Sequence, residues 1–212
     1  SATVLPTLTS VETVALTTAN GIASINMAGA TAMTAMDIAL ASDDVLFTVN
    51  NLPSGLTVKN LETGAVDITF DTVADATLTL DAAVNGNGTS SMTITDAKTV
   101  NVKSSGTGTT NDFEFMVLDT ADTTTFNVTG ATTASATLAT GNITGSDQLA
   151  TLSASSSTTG ATVTIGTVAD ADSLTSLTLD ATYGNVAIGN VGASGSAEAL
   201  AAVNLTAANG AT

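Results

Sequence analysis

The chain has 212 residues and a formal net charge of -16, with 3 basic residues, all Lys, against 19 acidic ones. It contains no His, no Cys and no Trp. Phosphate binding needs clustered cations, so this balance excludes nucleic acid as a partner and argues against anionic membrane surfaces. Without His or thiol there is no Ser-His-Asp triad, no thiolate nucleophile and no ordinary zinc or iron-sulfur site.

Hydrophobic residues make up 43% of the chain but aromatics only 3%, so the interior is built from Ala, Val, Leu and Ile in thin layers. The remainder is rich in Thr, Gly, Asn and Ser with only 2 Pro, a composition of short strands and turns rather than helices. A mean hydropathy of +0.38 excludes a disordered polar tract. No apolar run is long enough for a membrane span, and no membrane insertion is expected. The chain begins at Ser1 rather than Met and stops at Thr212 in mid-pattern, which reads as a processed product or a piece of a longer chain.

Taken in chain order, one apolar-polar-apolar strand phrase recurs. It starts at Val14, Met36, Leu56, Leu78, Val100, Phe126, Leu152, Leu177 and Val203, at spacings of 20 to 26 residues that lengthen once along the chain. A second series lies about half a period away, at Ile25–Met27, Phe47–Val49, Val66–Ile68, Met92–Ile94, Phe113–Phe115, Ala136–Leu138, Val163–Ile165 and Val186–Ile188. Alternation in such short runs puts one face inward and one outward, and Gly, Asn and Asp supply the corners. The lengthening is seen by comparing two related segments: Thr72–Ala76 leads directly into Thr77–Asp81, whereas Thr167–Ala171 reaches Ser176–Asp180 only after Asp172 to Thr175. That insertion is expected in a turn.

A period of this size with two or three short strands predicts an all-β fold, a parallel β-helix (β-solenoid) of about nine coils of 20–26 residues in a single domain over 1–212. The phrase starts form one inward column and the residues two further on, from Leu16 and Ile38 to Leu179 and Leu205, form a second. Between them an outward column reads Ala15, Asp37, Thr57, Thr79, Asn101, Asn127, Ser153, Thr178 and Asn204. The next outward column brings Lys59, Asp81 and Lys103 onto consecutive coils as a ladder of alternating sign.

Carboxylates precede many of these strands, at Asp75, Asp96, Asp122, Asp147, Asp170 with Asp172, and Glu198. Stacked carboxylates repel, and calcium, which takes six to eight oxygen ligands, is the cofactor that would relieve them. The candidate ligands are the local pairs Asp43 with Asp44, Asp71 with Asp75, Asp119 with Asp122, and Asp170 with Asp172. None has EF-hand spacing, and the alternative is that they keep an apolar rod soluble.

The phrases Val11–Thr17, Thr99–Ser104, Leu174–Asp180 and Leu200–Thr206 resemble the repeated strands of S-layer and RTX-type surface proteins of Gram-negative bacteria. That resemblance implies type I secretion, a β-helical domain at the cell surface, frequent calcium binding and self-assembly into a two-dimensional lattice. The glycine-aspartate calcium repeat of such proteins is missing here. Self-association is therefore the expected partnership, with cell-surface polysaccharide as a second candidate, and no enzymatic role is expected. An adhesin stalk is the alternative role for the same rod. A β-helical polysaccharide lyase or hydrolase is disfavoured by 1 Tyr and no Trp for sugar stacking. Ice binding is disfavoured because the column through Thr79 turns to Asn101 and Asn127.

Overall fold

A computed structural model describes residues 2–4, 8, 10–18, 22–40, 47–63, 68–81, 91–104, 110–112, 115–118, 121–130, 137–156, 158–192 and 201–207. All regular structure among them is β. Strand β1 (Ala2–Val4) lies on one face and β2 (Thr13–Thr18) on another. The chain then alternates between these faces through β3 (Ile22–Asn26), β4 (Ala35–Leu40), β5 (Phe47–Leu52) and β6 (Leu56–Thr63). Strands β7 (Ile68–Asp81) and β8 (Ser91–Lys103) each run across both faces. A third face then enters, and the chain passes through β9 (Thr110–Asp112), β10 (Phe115–Val117), β11 (Thr125–Gly130), β12 (Thr137–Ala139), β13 (Asn142–Thr144) and β14 (Thr151–Ser156). It finishes with β15 (Thr162–Ile165), β16 (Ser176–Ala181), β17 (Asn185–Ile188) and β18 (Ala202–Ala207).

Every pairing among these strands is parallel, and the result is a β-solenoid. The first face is the ladder β2-β4-β6-β7-β8-β11-β14-β16-β18. The second is β1-β3-β5-β7-β8-β10-β13, continued by single bridges from Ile143 to Val168 and from Val168 to Val191. The third face is the four-stranded sheet β17-β15-β12-β9.

The rod has about six regular turns rather than nine coils. Counting strand phrases on the first face treats each as a full turn. A turn is regular only where the chain also returns through a laddered second face, and that ladder falls to isolated bridges beyond β13. The half-period series also divides: Ile25, Phe47 and Met92 lie on the second face, whereas Thr137, Val163 and Val186 lie on the third. The longer period thus coincides with the third sheet. The residues Asp172 and Ser173 do form a turn, with Leu174 buried beneath it.

One register differs from the sequence expectation. Met36 pairs with Val58 rather than Leu56, which brings Asp37 beside Lys59. A slip of two residues preserves the side-chain parity of a strand, so inward residues stay inward. Met36, Ile38, Leu56, Val58, Leu78, Leu80, Val100, Val102, Phe126, Val128, Leu152 and Ala154 are all at most 1% exposed. Phe47 and Phe70 fill the interior behind the second face.

Corners decide how tightly the coil closes. Asn51, Asp75, Asp96 and Asp170 all take positive φ, between 57° and 62°, between the second face and the first. Asp and Asn tolerate this left-handed conformation better than other side-chain-bearing residues, because the short polar group bonds to nearby backbone. The wider corners satisfy their backbone across coils. The carbonyls of Glu12, Thr124, Ala150 and Thr175 each accept two successive N–H groups from the next coil. Gly166 lies where two coils approach closely: a Cβ there would clash with the Gly141 carbonyl.

Candidate functional site

The outer surface of the first face is three parallel columns of small polar residues. The earliest in each strand runs Thr77, Thr99, Thr125, Thr151 and Ser176 in register. The sequence reading missed this column because it began each phrase at the apolar residue that follows. The interruption used against a Thr ladder therefore applies to the middle column and not to this one. The middle column is bonded from Thr79 to Ser153: Asn101 Nδ2 donates to Thr79 Oγ1 at 3.4 Å, Asn127 Nδ2 to Asn101 Oδ1 at 2.9 Å, and Ser153 Oγ to Asn127 Oδ1 at 2.6 Å. Small polar side chains stacked in register support bonding from coil to coil. Its effect is to consume donors and acceptors that a ligand would otherwise use.

The third column carries charge. Lys103 Nζ lies 3.5 Å from Asp81 Oδ2, and the Asp81 side chain is only 6% exposed. The Asp81–Lys103 half of the expected ladder is thus formed, while Lys59 is the rung neighbour of Asp37. Lower on the same column, Asp180 accepts hydrogen bonds from the Thr182 hydroxyl and backbone N–H. These bonds, the hydroxyl first, hold its carboxyl below the usual carboxylate range, against a smaller opposing effect of burial.

Each candidate calcium ligand has a place. Asp71 accepts from Thr95 Oγ1 at 3.0 Å on the second face. Asp75 turns a left-handed corner and pairs with Lys98 at 3.2 Å, both side chains more than half exposed. Asp170 turns the equivalent corner four coils further on, and Asp172 stands in the following turn. Asp122 is half-buried in the turn before β11. Asp43, Asp44 and Asp119 lie outside the described residues. Among the described residues no three acidic side chains gather as a cation cage would require. Asp75 and Asp170 each serve a left-handed corner of the coil.

The final rung differs from all others. Val203 is 51% and Leu205 70% exposed, although both continue columns that are fully buried earlier in the rod. Tyr183 and Val191, on the same end, are 58% and 36% exposed. Among the described residues β18 pairs on one edge only, with β16. At the other end Val14 and Leu16 are half-buried and pack on the core together with Leu8.

No protein-family model matches the chain, and neither a curated protein nor a solved structure matches it significantly. Among the described residues no helix is long and apolar enough to cross a membrane.

Proposed function

We propose that this protein is a non-enzymatic structural module of a secreted bacterial surface layer, a rod that assembles with its own kind outside the cell. The observation that carries this reading is a parallel β-solenoid whose first face presents a column of small, mutually bonded polar residues. Such a surface offers little to a small substrate, whereas exposed strand edges add further strands through their unpaired backbone groups. The strand phrases shared with surface-layer proteins support the same reading, as does the absence of cysteine, which such proteins often lack. Calcium belongs to the proposal as an ion shared by carboxylates of neighbouring subunits.

The test is negative-stain electron microscopy of the purified full-length protein, in calcium and then in chelator, with light scattering alongside. Ordered sheets or higher oligomers that dissolve on chelation are expected. A monodisperse rod unaffected by calcium would overturn a calcium-linked lattice and favour an adhesin stalk, in which the rod extends a binding tip.

A further inference from the structure

We draw no further inference here: the strongest candidate, the outward column of hydroxyls that Thr77, Thr99, Thr125, Thr151 and Ser176 line up on the first face, is a stripe of small residues, and nothing else in the structure shows what would bind along it.

Discussion

The corner at Asp170 offers a direct trial of whether the acidic residues serve backbone conformation or a metal. Its φ is 57°, and among the described residues it has no ion pair of the kind that Asp75 makes with Lys98. A left-handed conformation costs an ordinary L-residue about 1–2 kcal/mol, and a β-branched one more. Glycine removes that penalty but gives up about 0.5–1 kcal/mol through the freedom of its unfolded chain. The expected order of stability is therefore Asp, Asn and Gly within about 0.5 kcal/mol of one another, Ala lower by about 1 kcal/mol, and Val lower by about 2 kcal/mol. Chemical denaturation midpoints followed by circular dichroism, with the slope checked for constancy, read this order. A chain of this size shifts in Tm by about 2–4 °C per kcal/mol, so heating resolves the same series. If Asp170→Gly and Asp170→Asn fall as far as Asp170→Val, the carboxylate itself carries the stability, as a metal ligand would. The corner argument is then refuted.

Other consequences follow from packing, bonding and charge. Phe126→Ala removes a fully buried ring and should cost about 3–5 kcal/mol by urea denaturation, whereas Tyr183→Ala at the exposed end should cost well under 1 kcal/mol. In Gly166→Ala the new methyl group would meet backbone of the neighbouring coil, so a loss of about 1–3 kcal/mol is expected. Gly55→Ala has open space around it and should suffer only from its φ of 83°; equal losses in the two variants would contradict the close approach at Gly166. Asn127→Ala breaks the ladder on both sides and should cost about 1–2 kcal/mol, with hydrogen exchange rising on β8 and β14 as well as β11. Asp180 titrates below the ordinary carboxylate range, so its contribution to stability is present above the unfolded-state value near pH 4 and is lost as pH falls through its folded value. Carboxyl NMR should show Thr182→Val moving that titration upward, and no movement would exclude the hydroxyl bond as its main cause.

The solenoid was legible because its signal is repeated: parity is conserved through every strand of the first face, and a single phrase fixes which side chains are inward. The number of turns was less legible. Phrases such as Phe126–Val128 and Leu177–Leu179 look alike, yet the second face behind Leu177 is held by single bridges. The third face was hidden because Val163–Ile165 and Met92–Ile94 share one pattern, and pattern alone does not say which side of a coil a strand occupies. The two-residue slip at Met36 was invisible for the same reason, since it leaves parity unchanged. The acidic residues were located correctly at corners, but a carboxylate in a left-handed turn and one awaiting a cation have the same sequence signature. The φ angles at Asp75, Asp96 and Asp170, which only a folded backbone reveals, supply the corner role.

Because neighbouring strands in every ladder are some 20 to 27 residues apart in sequence, each coil leans only on the ones above and below it. A rod built this way responds to tension as a zipper. Pulled along its axis, it should yield one coil at a time. Each release frees about 22–26 residues, which at roughly 3.4 Å per extended residue is about 75–90 Å of slack for the loss of about 4.8 Å of rod. A structure with these proportions can lengthen many times over without breaking a covalent bond, and recover by restacking when the load is removed.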